Sequence, residues 1–376
     1  MRFTDCINIT GESCKKFDGN KAYISTGAVD IDHIDSNQIE IVNYDTKPSR
    51  ANLITDDKSI LFAKMQGTKK VLLIDQELKE NVYSTGFFSV APKENILNKK
   101  CLYHLLGSKT FLNQKDKYCS GATQKAITLE GLNKIEINIP KFEEQNQIAE
   151  KLDIVKQNLD YYYNTLNKYD DLVKARFVEM FGDPVSNSRA LPKATLPELG
   201  EFGRGVSKHR PRNDPKLLGG AYPLIQTGDV AASDLYIKNY ISTYSELGLL
   251  QSKMWCKGTL CITIAANIAK TAILDFDACF PDSVVGFIAN EKTNNIYIHY
   301  WFSFFQDILE AQAPESAQKN INLKILSELK VICPPKKEQE QFSEFVKQVD
   351  KSKLAVQKSL EKTQQLFDSL MQEYFE

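Results

Sequence analysis

Residues 139–182 read IPKFEEQNQIAEKLDIVKQNLDYYYNTLNKYDDLVKARFVEMFG, and a single side-chain period runs through them. Ile148, Leu152, Val155, Leu159, Tyr162, Leu166, Tyr169, Val173, Phe177 and Met180 recur at steps of four and three. That spacing is the seam of a helix built to pair with another helix. Pro140 suits the start of such a helix, where its missing N–H removes no bond, and Gly182 followed by Pro184 is a stop. About 40 residues at ~1.5 Å rise make a rod of roughly 60 Å, too long for a neighbouring globular unit to absorb.

The same phrase occurs twice. From Gln124-Lys125 and from Gln318-Lys319 the chain aligns with itself without a gap at an offset of 194. Ile127/Ile321, Leu129/Leu323, Pro140/Pro334, Gln145/Gln339, Val155/Val349, Leu166/Leu360 and Phe181/Phe375 all match. The second seam runs through Phe342, Val346, Val349, Val356, Leu360, Phe367, Leu370 and Tyr374, with Lys353 and Thr363 interrupting it. Upstream, SILFAKMQGTKKVLLID (59–75) parallels GTLCITIAANIAKTAILD (258–275), each reading as two strands around a polar turn. TGFFSVAP (85–92) parallels DSVVGFIA (282–289), and KKCLYHLLGSKTFL (99–112) parallels NNIYIHYWFSFFQDIL (294–309), aromatic-rich segments long enough for a helix. An internal duplication is the economical reading.

At 376 residues, with 42% hydrophobic and 25% charged side chains, the chain has the composition of a globular protein of two or three domains. No stretch reads as a signal peptide or a membrane span, so a cytosolic location and no membrane partner are expected. The eight cysteines stand at no metal-ligand spacing, and they read as reduced and mostly buried. The net charge is −1. Residues 141–180 carry six Lys/Arg against eight Asp/Glu, and 336–376 seven against eight, which leaves 34 against 32 for the rest. A protein gripping DNA alone is usually more basic, because neutralised phosphates supply most non-specific affinity.

The residues around both helices resemble the specificity (S) subunits of type I restriction-modification systems. IPKFEEQNQIAEKLD (139–153) looks like that family's entry into its conserved helix, and VICPPKKEQEQF (331–342) is a looser second copy. RFVEMFGDP (176–184) is similar to the family's exit phrase, and LFDSLMQEYF (366–375) to its ending. GRGVSKHRPRNDPKLLGGAYPLIQTGDV (203–230) resembles the opening of a target recognition domain, with AYISTGAVD (22–30) as the shorter version. In GTLCITIAANIAKTAI, Ala266 and Ala269 stand where the family often has glycine.

The resemblance implies an α+β fold. Two mixed β-rich target recognition domains, 1–140 and 182–334, would be separated by a pair of long antiparallel coiled-coil helices, 141–181 and 335–376, in a pseudo-twofold duplication. It further implies that each domain reads one half of a bipartite site in double-stranded DNA. The helices would set the spacing and dock methyltransferase (M) subunits, with a restriction (R) subunit joining in the full complex.

Base edges are read mainly by Arg or Lys on guanine and by Asn or Gln on adenine, supported by phosphate contacts. Three places carry such side chains. The densest is the loop with Arg204, Lys208, His209, Arg210, Arg212 and Lys216, where Asp214 is the one opposing charge. Another is the polar turn between paired strands, with Lys64, Gln66, Thr68, Lys69 and Lys70 in one copy and Asn267 and Lys270 in the other. The third is Gln124-Lys125 and Gln318-Lys319, each just before an expected strand. Tyr222, Gln226 and Thr227 are further candidates.

Catalytic patterns do not occur. An adenine methyltransferase needs a glycine-rich cofactor loop and an Asn/Asp-Pro-Pro-aromatic tetrapeptide, whereas Cys333-Pro334-Pro335-Lys336 lacks both the amide and the ring. There is no GxxxxGK[ST] phosphate loop. Glu77-Leu78-Lys79 and Glu328-Leu329-Lys330 match a nuclease ExK without an upstream PD. His104 and His299 occupy matching places and read as structural. The expectation is a non-enzymatic subunit without its own cofactor, with S-adenosylmethionine held by the partner methyltransferase. A duplicated coiled-coil adaptor that touches no DNA is the competing reading.

Overall fold

A computed structural model describes residues 1–265, 268–312 and 323–376. It divides into two compact units, Met1–Asn164 with Gln357–Glu376, and Thr165–Val356.

The first unit holds two sheets. One is four-stranded and antiparallel, in the order Ile7–Ile9, Phe87–Pro92, Ile60–Ala63, Val71–Leu73. The other runs Glu12–Ser13, Ala51–Ile54, Val82–Ser84, Lys21–Ile24, Glu40–Val42, with one parallel pairing between Val82–Ser84 and Lys21–Ile24. Ile60–Ala63 is buried along its whole length, as a strand covered on both faces should be. Against the first sheet, Phe3, Phe62, Leu102, Leu105 and Phe111 share a core with Ile148, Leu152, Met371 and Phe375 of the long helices. Here the opening of the helix Phe142–Phe181 shares that core with the end of the helix Lys336–Phe375.

The second unit repeats this plan. Gly200–Arg204, Val284–Ala289, Leu260–Thr263 and Thr271–Leu274 follow the same order, and Tyr236–Ile237 adds a parallel edge strand. Ser242–Tyr244, Leu218–Leu224, Ala278–Cys279 and Met254–Trp255 repeat four of the five strands of the second sheet, again with one parallel pair. The helices here are antiparallel: Phe181 meets Phe342 with ring centroids 5.7 Å apart, while eleven residues back Asp170 meets Lys353 at 2.7 Å. Phe177, Phe181, Tyr297 and Phe342 are fully buried, and each contributes roughly 1.5–3 kcal/mol by leaving water.

Three local expectations are altered. The first aromatic-rich helix is broken into Lys99–Gly107 and Lys109–Lys117, because Ser108 is extended and its hydroxyl caps the second piece at the Phe111 amide. Its counterpart Asn295–Gln312 is continuous. The strand expected after Gln124-Lys125 shrinks to single bridges from Ala126 to Met65 and Ser120, after which Thr128 caps the short helix Leu129–Leu132. Thr227-Gly228-Asp229 forms not a free turn but the start of a helix, Thr227–Ala231, whose Asp229 carboxylate accepts the Gln226 amide. Among the described residues no helix is long and apolar enough to cross a membrane.

Candidate nucleic-acid interface

The basic loop of the second unit leaves the strand Gly200–Arg204 and returns as Leu218–Leu224. Side chains hold its backbone: the amide of His209 donates to the Gln251 carboxamide at 3.0 Å, and the hydroxyls of Ser252 and Ser245 donate to the carbonyls of Val206 and Lys216 at 2.8 and 2.7 Å. Arg210 folds back to donate to the carbonyls of Ser207 and His209, at 2.6 and 2.9 Å. Asp214 is not alone in opposing the cations, as the local sequence suggests. Asp282 lies 2.5 Å from Arg212 and 3.6 Å from Arg210, while Asp214 takes the His209 ring at 3.1 Å. Four of the loop's charged or titratable groups, His209, Arg210, Arg212 and Asp214, are therefore internal braces. Arg204, Lys208 and Lys216 remain exposed, with no ion-pair partner among the described residues. Beside them stands exposed Lys253, its ammonium 3.7 Å from the centre of the Trp255 ring.

The weaker candidates nearby are also engaged. Tyr222 donates to Glu246 at 2.6 Å. Gln226 reaches the Ser242 hydroxyl at 3.3 Å, and Thr227 begins the short helix. Lys270 gives its carbonyl to the amide and hydroxyl of Thr263, at 2.9 and 3.2 Å, and leaves its ammonium beside a cleft of about 350 Å3. Ala269 just before it takes a left-handed backbone, φ 58°, which explains why glycine suits that place. Ala266, Asn267, Gln318 and Lys319 lie outside the described residues.

In the first unit two of the candidate places become one. The Gln66 amide donates to the Lys125 carbonyl at 3.0 Å, and the Ile127 amide to the Lys64 carbonyl at 2.9 Å. The turn 64–70 thus lies against the Gln124-Lys125 segment. Within it, Lys64 is anchored on the Thr85 carbonyl at 2.8 Å and over the Phe88 ring at 4.4 Å. Burial pushes its ammonium below the usual lysine range. Lys70 is tied to the Thr26 carbonyl at 2.7 Å, Thr68 to Met65 at 2.6 Å, and the Gln66 carboxamide to Asp116 at 3.2 Å. Exposed Lys69, Gln124 and Lys125 have side chains without a hydrogen-bond or ion-pair partner among the described residues.

Local sequence conceals what supports this turn. Lys115, 1% exposed, donates to the carbonyls of Met65 and Thr68 at 2.9 and 2.8 Å. Only its place on the inner face of the helix Lys109–Lys117 hints at the role. Cations held from below with others free above suit a rigid surface that meets phosphates and base edges.

The sequence pattern described as the type I restriction modification DNA specificity domain matches residues 6–168 and again 194–366. The type I restriction enzyme MjaX specificity subunit of Methanocaldococcus jannaschii is 22% identical over 302 residues, 75% of this chain and 68% of that one. The type I specificity subunit S.HindORF215P of Haemophilus influenzae is 24% identical over 250 residues, 65% of this chain and 62% of its own. Among solved structures, the fold is similar to the type I S subunit of M. genitalium, with a TM-score of 0.59 at 16% identity, covering 100% of this chain and 95% of that one. A chain from a structural study of type I complex assembly and conformational transition gives 0.57 at 19%, covering 100% and 96%. With both matched segments each spanning a sheet-bearing region and the helix behind it, the chain belongs to the family of type I restriction-modification DNA specificity domains, and carries that domain twice.

Proposed function

We propose that this chain reads a bipartite site in double-stranded DNA for a type I restriction-modification complex. Residues 1–140 and 182–334 each recognise one half-site. The helical stretches 141–181 and 335–376 hold the spacing and dock M subunits, with an R subunit joining where the system also cleaves. Catalysis belongs to the partners. The methyltransferase flips and methylates an adenine in each half-site using S-adenosylmethionine, and this chain holds no cofactor. Its place of action is the cytosol, where the DNA is.

The observation that carries this reading is the repeated strand order in the two units, each copy presenting a lysine-bearing turn between the same pair of strands. One recognition surface made twice is what a two-part site requires. The near-neutral charge fits a protein whose affinity is shared with a partner. A mobility shift on random duplexes, with and without the M subunit, tests the reading. The chain should give the M subunit a sequence-selective complex that neither forms alone; an adaptor would leave the partner's DNA binding as it was.

A further inference from the structure

Lys353 interrupts the apolar seam of the second long helix, yet it is 9% exposed. Its ammonium lies 2.7 Å from Asp170 on the opposing helix and 3.3 Å from Asp234. Asp234 precedes the strand Tyr236–Ile237, which runs beside Thr271–Leu274, and the Ile273 amide donates to the Leu235 carbonyl at 2.9 Å. Thr271–Leu274 is the strand that leaves the candidate turn carrying Lys270.

The first unit has the same connection. Lys156 on its long helix pairs with Asp32, whose carboxylate also accepts the Tyr103 hydroxyl at 2.5 Å and sits 2.6 Å from His33. The neighbouring Ile31 carbonyl accepts the Val71 amide at 2.7 Å, and Val71–Leu73 is the strand leaving the turn 64–70. Both units therefore tie a helix lysine to an aspartate beside the outgoing strand of the candidate turn.

Inheritance does not account for the likeness. At the offset of 194, Lys353 corresponds to Leu159 and Lys156 to Asp350. The two lysines stand about one helical turn apart in the repeat, so the connection is made differently in each copy. Nor does stability require it: Leu159, at the place of Lys353, is 6% exposed and serves the seam as an apolar residue. Asp170 and Asp234 are both more than half exposed, and ion pairs that reach solvent contribute little to stability. A lone polar residue in a seam specifies geometry instead.

We propose that Lys353 with Asp234 and Asp170, and Lys156 with Asp32, are orienting latches that fix each recognition domain on its own helix and so set the fidelity with which its half-site is read. The inference rests on the bipartite reading above. Base-edge discrimination needs side chains held to within about 0.5 Å. A domain free to tilt about its helix meets mismatched edges nearly as well as matched ones. These are positioning residues, not DNA contacts. Burial pulls the Lys353 ammonium down, but Asp170 and Asp234 more than compensate and leave it above the usual lysine range, whereas burial leaves the Lys156 ammonium below it.

The test uses the full complex with its M subunit, comparing wild type with Lys353→Met, Asp234→Asn, Lys353→Arg and Lys156→Met. Methylation is scored on duplexes mismatched at single positions of either half-site, alongside hydrogen exchange of the strands next to each latch. Lys353→Met and Asp234→Asn should each lower matched-over-mismatched discrimination about tenfold, the size of one lost coupling between contacting residues. The loss should fall at one half-site only, with faster exchange at Tyr236–Ile237 and Thr271–Leu274. Lys156→Met should do the same at the other half-site, and Lys353→Arg should restore discrimination. An equal loss at both half-sites, or unchanged discrimination and exchange in Lys353→Met and Asp234→Asn alike, overturns the latch. If the wild-type complex methylates no two-part site, the functional reading falls by itself, and unchanged exchange in those two variants still overturns the latch.

Discussion

Gln145 and Gln339, 194 positions apart, are both fully buried, and each donates its side-chain amide to the carbonyl of the proline five residues before it. Gln145 reaches Pro140 at 3.1 Å and Gln339 reaches Pro334 at 2.8 Å. Each also holds the segment that precedes the aromatic-rich helix. Gln145 donates to the Ile96 carbonyl and accepts the Asn98 amide; Gln339 donates to the Lys292 carbonyl and accepts the Thr293 hydroxyl. The glutamine of the repeated box thus fastens the start of each long helix to the globular part of its own unit.

Replacing either glutamine by alanine strands several buried polar groups. Gln145→Ala and Gln339→Ala should each destabilise the protein by about 2–4 kcal/mol, since each unsatisfied buried group costs about 1–3 kcal/mol. Urea unfolding followed by circular dichroism measures this, and a loss below 1 kcal/mol would show that the clamp is dispensable.

Acid should weaken the second unit through His299. Its ring accepts or donates at 2.9 Å with the Thr271 hydroxyl, and burial, only partly opposed by Thr271 and Asp234 and reinforced by Lys353, brings its pKa from 6.5 down to about 4. Because the folded value is the lower one, the unfolded chain takes up a proton first as pH falls. The stabilisation is complete above pH 6.5 and disappears towards about pH 4. The full span corresponds to about 3 kcal/mol, reduced because His299 is half-buried and lines the cleft. His299→Gln should flatten this part of the stability profile; a slope unchanged by the substitution would place its origin elsewhere.

The long helices are legible in sequence because their seam residues repeat locally and every one reports on the same contact. The hairpin strands are legible for a similar reason, in the apolar runs that flank the turns at 64–70 and 264–270. The bracing of the candidate interface is not. Asp282 reaches Arg212 from seventy residues away, and Lys115 supports the turn from a helix that nothing in the turn announces. Lys353 shows in the sequence as a break in the seam, but its partner Asp234 shows only in the folded chain.

The braced and free cations of the basic loop should behave differently. Arg204→Ala, Lys208→Ala and Lys216→Ala should each weaken DNA binding by the complex and reduce the slope of log K against log salt by about 0.9, one phosphate's worth. Arg212→Ala should change the slope less and loosen the loop, since its guanidinium is held by Asp282. Titrations at several salt concentrations separate the two. Equal slopes for all four variants would remove the distinction.

Lys115→Met should act on the first unit's turn without touching DNA. With the Thr68 carbonyl losing its ammonium donor and the Met65 carbonyl left to Thr68 alone, the amides of residues 64–70 should exchange about tenfold faster, one lost hydrogen-bonded brace at ~1.4 kcal/mol. Exchange mass spectrometry reads this directly. No change would mean that the strands alone hold the turn.

As proposed, this chain specifies a two-part DNA site. The most direct measurement co-expresses it with its methyltransferase subunit in a methylation-free host and maps N6-methyladenine across the genome. One bipartite motif with a fixed spacer should appear, and only when this chain is present. A motif that persists without the chain, or a stable complex that methylates no motif, would contradict it.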